Sequence, residues 1–366
     1  MLGHKHIPSR EGGVEVVVEE LSKRLVEKGH NVTCYNRKGH HIAGKKFDEE
    51  SFSEFKGIRI KKVFTINKKG LAAVSASVSA TVRAAFGKYD VVHFHAEGSC
   101  VMIWLPKLMG KRCIVTIHGL DWKREKWGRF AKTYIRLGEK MAVKYADGII
   151  VLSKAARDYF KNEYDRETTF IPNGVNRPDI VKADIIKNKW NLEKNGYILF
   201  LGRLVPEKGV QYLIEAFKKV QTDKRLVIAG GSSDTDIFMQ ELKKKAKGDN
   251  RILFTGFVQE RMLGEIYSNA YIYVLPSDLE GMPLSLLEAM SYGNCCLTSD
   301  IAECSEVVED KAVLFRKSDV EDLKNKLQML CGQREMVFKY KKEAADFICG
   351  KYAWDEVVEQ TMMLYK

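Results

Sequence analysis

Short apolar runs of strand length alternate with amphipathic helical stretches along both halves of this chain, and that alternation leaves few folds open. In the first half the runs are residues 31–35, 90–95, 113–118 and 148–153; in the second they are 197–201, 226–229, 252–255, 271–275 and 296–298. Helical patterns separate them: Val14, Val17, Val18, Leu21 and Leu25 recur at helical spacing behind Gly12-Gly13, residues 71–85 form a tract rich in Ala, Ser and Val, and another long amphipathic stretch closes at residues 142–146. Strands that alternate with helices pack as a parallel sheet covered on both faces. With 366 residues, 45% of them hydrophobic, the chain can build two cores of about 150 to 200 residues each. The expected architecture is α/β, with two doubly wound domains and ligands at the carboxyl ends of the strands.

A boundary is expected near Ile171-Pro-Asn-Gly-Val175, where a polar connector begins that is rich in Lys, Asn and Asp and runs through Lys194. The chain is expected to divide into a first domain over 1–175, a second over 176–349, and a helix over 350–366 that returns to the first domain.

Within the second half, Glu280-Gly-Met-Pro-Leu-Ser-Leu-Leu-Glu288 sets two carboxylates eight residues apart around a helix start. Pro283 suits the first helical position, which puts Glu280 in the loop and Glu288 inside the helix. Free N–H groups at Leu284 and Ser285 can hold a phosphate while the carboxylates accept hydrogen bonds from sugar hydroxyls. Such a pairing suits a nucleotide-sugar site, although a turn and a surface helix with solvated glutamates would carry the same letters. Lys208-Gly209, ahead of a helix through Val220, and Gly230-Gly231-Ser232, behind a strand, are further candidate phosphate turns. A GxGxxG fingerprint is absent from the sequence.

Composition narrows the classes. No apolar run approaches the roughly 20 residues of a membrane span, since residues 100–109 are interrupted by Pro106 and Lys107. Residues 1–10 are polar and basic, unlike a signal peptide. Eight cysteines show no CxxC pair, which fits a reduced cytoplasmic setting, and neither Cys nor His has the spacing of a metal site. Net charge is +12, and the excess lies in residues 1–175, with 32 Lys and Arg against 19 Asp and Glu. No nucleic-acid motif accompanies that charge, so an anionic phospholipid or a pyrophosphate-bearing lipid is the better candidate partner.

Taken in order, these landmarks resemble glycosyltransferase family 4, retaining enzymes of the GT-B fold with two Rossmann-like domains and the active site in the cleft between them. Nearly the whole chain is covered: Ile7-Pro-Ser-Arg-Glu-Gly-Gly13, Ile117-His-Gly119, Ile171 to Val175, Gly202-Arg-Leu-Val-Pro-Glu-Lys-Gly209, the glutamates at 280 and 288, and Ser299-Asp-Ile-Ala-Glu303. The opening segment looks like a bacterial subgroup that contains rhamnosyltransferases of polysaccharide assembly.

The resemblance implies roles. Arg203 and Lys208 would bind the donor diphosphate, and Glu288 would accept hydrogen bonds from the ribose. Glu280, with Met282, would lie near the transferred sugar. Gly12 and Gly13 would let backbone approach the phosphates, Gly230 would line the donor, and Phe257 and Val258 would meet the base. His118 would touch the donor sugar or its leaving phosphate, while Asp121 and Trp122 would contact the acceptor. His93 and His95 are read mainly as packing or acceptor-side residues. No cofactor and no metal are expected, since Arg203, Lys208 and the helix amino terminus near Leu284 would take the role that a cation plays in other transferases. The implied reaction moves a hexose or deoxyhexose from a nucleoside-diphosphate sugar to a lipid-linked or glycan acceptor. A nucleotide-sugar epimerase of this fold, or a non-catalytic partner subunit, remains the alternative.

Two departures from the family stand out. Only residues 1–4 remain to supply the first strand, which predicts a short central sheet, exposed apolar surface and a start several residues late. Asn294-Cys-Cys296 replaces small or Pro residues, for which a change of packing alone is expected. Finally, Lys123, Arg124, Lys126, Arg129, Lys132, Arg136, Lys140 and Lys144, interleaved with Trp127, Phe130, Tyr134 and Ile135, read as one basic amphipathic helix for an anionic membrane surface. The competing reading packs those aromatics on the protein's own sheet.

Overall fold

The computed structural model describes residues 1–9, 12–38, 53–66, 68, 70–124, 127–231 and 236–366. Arg10 and Glu11 of the glycine turn, Ser232 and Lys126 lie outside the described residues. The chain divides into two compact units: Met1–Gly174 with Trp354–Lys366, and Val175–Ala353. Residues 350–353, grouped by sequence with the last helix, stay with the second unit.

In the first unit the strands are β1 (Thr33–Arg37), β2 (Glu54–Phe55), β3 (Ile58–Val63), β4 (Val91–His95), β5 (Arg112–Ile117), β6 (Gly148–Val151) and β7 (Thr169–Phe170). Two ladders run β2-β3-β1 and β4-β5-β6-β7, parallel throughout apart from β2. Residues 1–5 lie between them. Tyr35 N–H donates to Met1 O at 3.0 Å and Arg37 N–H to Lys5 O at 2.7 Å. On the other side Leu2 N–H donates to His93 O at 3.0 Å and His95 N–H to Leu2 O at 2.9 Å. This short segment therefore pairs on both edges, and Leu2 is fully buried, so the apolar exposure expected there is not seen at that residue.

Helix α1 (Gly13–Glu27) follows the loop at the carboxyl end of residues 1–5, and α2 (Leu71–Ala85) takes the small-residue tract as expected. Helix α3 (Arg129–Tyr145) is shorter than the sequence suggested, because Asp121–Lys123 forms a separate 3-10 turn. Its stripe Ile135, Gly138, Glu139 and Ala142 is buried. Gly138 is required there: a Cβ would stand 2.1 Å from Glu97 O. The C-terminal helix Trp354–Tyr365 belongs to this unit, and Val358 joins Ile7, Val18, Leu21 and Leu25 in one cluster.

The second unit holds a parallel sheet of β8 (Tyr197–Leu201), β9 (Arg225–Ala229), β10 (Ile252–Gly256), β11 (Ile272–Leu275), β12 (Cys295–Ser299) and β13 (Val313–Phe315), in the order β10-β9-β8-β11-β12-β13. Residues 272–275 are all buried, as are the two cysteines 295 and 296, which pack inside the sheet. Such runs are what a parallel strand covered on both faces needs. The chain order reverses between β8 and β11, so their carboxyl ends form the crevice where doubly wound sheets bind ligands. Helices α4 (Val210–Phe217) and α5 (Leu284–Ser291) begin beyond those two strand ends.

Candidate active site

At the reversal point of the second unit, the turn after β8 meets the loop after β11. Gly209 has φ +67°, and a Cβ on it would stand 1.8 Å from Pro276 O, so the approach of the two segments requires glycine. Asp278 N–H donates to Glu207 O at 2.9 Å, and Tyr212 OH to Asp278 Oδ2 at 3.1 Å. This zipper brings Lys208 Nζ to 2.6 Å from Glu280 Oε1. Ser277 Oγ donates to the same oxygen at 2.6 Å, and Ser277 is itself fully buried. Arg203, by contrast, makes no side-chain hydrogen bond or ion pair with a described residue. A cation held by one carboxylate and another free of any can together take an anionic ligand.

Pro283 is the N-cap of α5 and not its first helical residue, so the helix starts at Leu284. Leu286 N–H reaches Pro283 O at 3.0 Å, which leaves the Leu284 and Ser285 N–H groups ahead of the first helical bonds. Two buried tyrosines brace this end. Tyr273 OH pairs with Ser285 Oγ at 2.8 Å, and Tyr267 OH donates to Glu288 Oε2 at 3.3 Å while its ring stacks on Tyr292 at 5.1 Å. Burial first, and then the Glu288 charge, keep the Tyr267 hydroxyl protonated far above its ordinary range. Met282 is buried beside this turn, and Val258 is buried while Phe257 is partly exposed after β10. Gly230 has its own structural reason: φ is +142°, and a Cβ would meet Gly202 O at 1.8 Å.

In the first unit, the loop from residue 5 to α1 is anchored at both ends. Asn36 accepts Ile7 N–H at 3.2 Å and donates to Ile7 O at 2.8 Å, and Lys5 N–H donates to Glu15 Oε1 at 2.9 Å. Gly12 is extended, with φ −156°, so backbone strain does not demand glycine there; an added Cβ would instead press on Glu15 Oε2 at 2.4 Å. Gly13 opens α1.

His118 follows β5 immediately. Its Nε2 lies 3.0 Å from His95 Nδ1, and burial pulls its pKa down to about 4. His93 and His95 are buried too and held well below the ordinary imidazole range, so all three rings are neutral near pH 7. Beyond His118, the turn at Asp121 and Trp122 hangs on two buried carboxylates. Asp121 N–H donates to Glu97 Oε1 at 3.1 Å, and Trp122 Nε1 to Glu139 Oε2 at 3.2 Å. Asp121 also pairs with Arg124 at 2.8 Å, and the Arg136 guanidinium lies 4.5 Å from the centre of the Trp122 ring.

Residues 11–177 match the model of Glycosyltransferase Family 4, and residues 182–347 match that of Glycosyl transferases group 1. The protein is a family 4-like glycosyltransferase of the GT-B fold. An uncharacterized glycosyltransferase of Methanocaldococcus jannaschii is 23% identical over all of this chain and 97% of its own. The Escherichia coli UDP-Gal:alpha-D-GlcNAc-diphosphoundecaprenol alpha-1,3-galactosyltransferase is 29% identical over 66% of each chain. Anabaena HepE, solved with UDP and glucose, superposes with a TM-score of 0.80 at 16% identity, over 98% of this chain and 97% of that one. That likeness shows the shared fold.

Several residues that shape the glycosyltransferase site escaped sequence reasoning. In the sequence Tyr273 stands out only as part of the strand-like run 271–275, and nothing there marks Ser277 or Tyr267. Glu97 and Glu139 were not singled out, although Glu139 occupies a position of the buried stripe of α3, which was the available signal. The basic stretch also needs correcting. Ile135 is buried and Tyr134 partly so, and both lie over Gly98; Phe130 and Leu137 are the exposed apolar side chains, and Lys123 and Arg124 precede the helix. Among the described residues no group of three or more His, Cys, Asp or Glu is placed to hold a metal ion, and no helix is long and apolar enough to cross a membrane.

Proposed function

We propose that this glycosyltransferase transfers a hexose or deoxyhexose from a nucleoside-diphosphate sugar, with retention, to a hydroxyl of a lipid-linked or oligosaccharide acceptor in cell-surface polysaccharide assembly. The observation that carries the reading is the join of Lys208, Glu280 and the start of α5 at the reversal point of the second sheet. There the ammonium and the Leu284 and Ser285 N–H groups suit a diphosphate, and Glu288 suits a ribose. Arg203 and Lys208 would neutralise charge that grows on the leaving diphosphate. The anomeric carbon–oxygen bond to that diphosphate breaks as the acceptor oxygen bonds to the same face, and the acceptor proton passes to the departing phosphate. His118 would steady the sugar or the phosphate. On this reading no metal is required.

Support for the donor comes from HepE, whose structure holds UDP and glucose, and support for a lipid-diphosphate acceptor from the Escherichia coli galactosyltransferase. A rhamnosyltransferase-like activity rests on the opening segment alone. The basic residues of α3, with Phe130 and Leu137 exposed beside them, fit docking on the anionic inner face of a membrane from the cytoplasm. Thermal-shift screening of UDP, dTDP and GDP sugars, followed by transfer of a radiolabelled sugar to a lipid-diphosphate acceptor with and without EDTA, tests the proposal. A shift with none of the nucleotides would refute it. Loss of transfer in EDTA, restored by Mg²⁺, would refute the metal-free part.

A further inference from the structure

We propose that His95 is a positioning residue that fixes His118 as the tautomer with its proton on Nδ1, so that His118 meets its ligand as a hydrogen-bond donor and not as a base. The two rings leave the carboxyl ends of neighbouring strands, since His95 closes β4 opposite Thr116 of β5 and His118 follows two residues later. They lie 28° from parallel with His95 Nδ1 facing His118 Nε2 at 3.0 Å. One proton must lie between two neutral nitrogens at that distance.

His95 has little freedom to choose another pose. Its N–H donates to Leu2 O at 2.9 Å, and its carbonyl accepts Ser99 Oγ at 3.0 Å. Gly3, with φ +103°, passes so close that a Cβ would stand 2.1 Å from His95 O. The ring stacks on His93 at 4.4 Å, and His93 is held at both nitrogens, by Tyr365 OH at 2.7 Å and by Thr116 Oγ1 at 2.7 Å.

The remaining nitrogen decides the tautomer. His95 Nε2 is buried without a hydrogen-bond partner among the described residues. A proton there would be a buried donor with no acceptor, which native structures tolerate less than an unused lone pair. The proton of His95 therefore sits on Nδ1 and is given to His118 Nε2. His118, neutral and accepting at Nε2, must carry its own proton on Nδ1. Such a ring can donate to a sugar hydroxyl or a phosphate oxygen, and it cannot take the proton of an acceptor. The catalytic consequence rests on the transferase reading given above; the tautomer does not.

Protein labelled with ¹⁵N-histidine tests this directly, because protonated and unprotonated imidazole nitrogens differ widely in shift, and the His118 signals are identified by their loss in His118→Asn. The parent should show His118 protonated on Nδ1 at pH 7.5. His95→Asn, whose amide nitrogen can occupy the place of Nδ1, should keep that state, whereas His95→Leu should admit the Nε2-protonated form. Transfer by His95→Leu should lose about 10- to 100-fold in kcat with KM within about twofold, and His95→Asn should recover most of it. His118 protonated on Nε2 in the parent would overturn the proposal, as would an unchanged tautomer in a folded His95→Leu. If His95→Leu does not fold, the parent and His95→Asn spectra still decide. A protein with the expected tautomer and no transferase activity would refute the proposed function and leave this inference standing.

Discussion

Lys208 Nζ donates to Glu280 Oε1 at 2.6 Å although 72 positions separate the two residues. Both side chains are mostly buried, with 13% and 8% exposure, and Ser277 donates to the same carboxylate oxygen. Removing the ammonium alone therefore leaves a carboxylate with less compensation than its burial requires. Lys208→Ala should lower stability by about 1–3 kcal/mol and kcat by about 10²–10³-fold. Adding Glu280→Gln should restore much of the stability and none of the activity. Urea denaturation and initial rates on the three variants check this, and full stability in Lys208→Ala would show that the pair does not matter to the fold.

Arg203 gives the contrasting case. Without a described partner it should be replaceable at little structural cost, so Arg203→Ala should melt within about 0.5 kcal/mol of the parent while losing about 10²–10³-fold in kcat. Turnover within about threefold of the parent would remove it from the diphosphate site.

Glu288→Ala should weaken binding of a free nucleoside diphosphate by about 1.5–3 kcal/mol, because a charged acceptor for ribose hydroxyls is lost. Tyr267 loses one of its two acceptors in that variant and keeps Ser285 O at 3.3 Å, so melting must be measured alongside titration calorimetry. Unchanged affinity in a folded variant would sink the ribose assignment.

What the sequence made legible was local. The βα alternation marked nine strands within a few residues but not β2, β3, β7 and β13, and the adjoining strand, proline and helical periodicity placed Glu280 in a loop and Glu288 in a helix. Pro283 was misplaced by one position, since a proline suits the cap and the first turn alike. Glu97 and Glu139 are illegible for another reason: their partners come from distant segments, as with Glu139 and Tyr164, and nothing local to a buried carboxylate announces the donors that satisfy it. The sequence marks His95 only as a packing or acceptor-side residue, and the adjacency of β4 and β5 sets it against His118.

Acid should destabilise the protein through its histidines. His4 and His118 are lowered to about 4 by burial, and His93 and His95 lie well below 6.5 for the same first cause. Between pH 6.5 and about 4 the unfolded chain binds more protons, so stability is fully present above 6.5 and falls as pH drops through that window. Glu97, raised well above its ordinary value by burial, opposes the trend, which makes a difference measurement necessary. His118→Asn should reduce the slope by up to one proton, about 1.4 kcal/mol per pH unit. Urea midpoints across the window give the slope, and equal slopes in the two proteins would mean that His118 takes up its proton normally when folded.

Glu139 offers the sharpest test of how the turn beside His118 is held. Its carboxylate is fully buried in α3 and accepts Trp122 Nε1 at 3.2 Å, Tyr159 OH at 2.9 Å and Tyr164 OH at 2.5 Å. Replacement by Leu would leave three donors without an acceptor, each worth about 1–3 kcal/mol when buried, with partial relief where a tyrosine can turn toward water. Glu139→Leu should therefore cost about 3 kcal/mol or more, and Glu139→Gln, which keeps one carbonyl acceptor, should cost less. Adding Tyr159→Phe and Tyr164→Phe to Glu139→Leu should recover part of the loss, because two of the abandoned donors are then gone. The Trp122 indole remains stranded in every such combination, so its fluorescence should report a looser turn even where stability returns. Glu139→Leu as stable as Glu139→Gln would show that the network contributes nothing beyond filling its space.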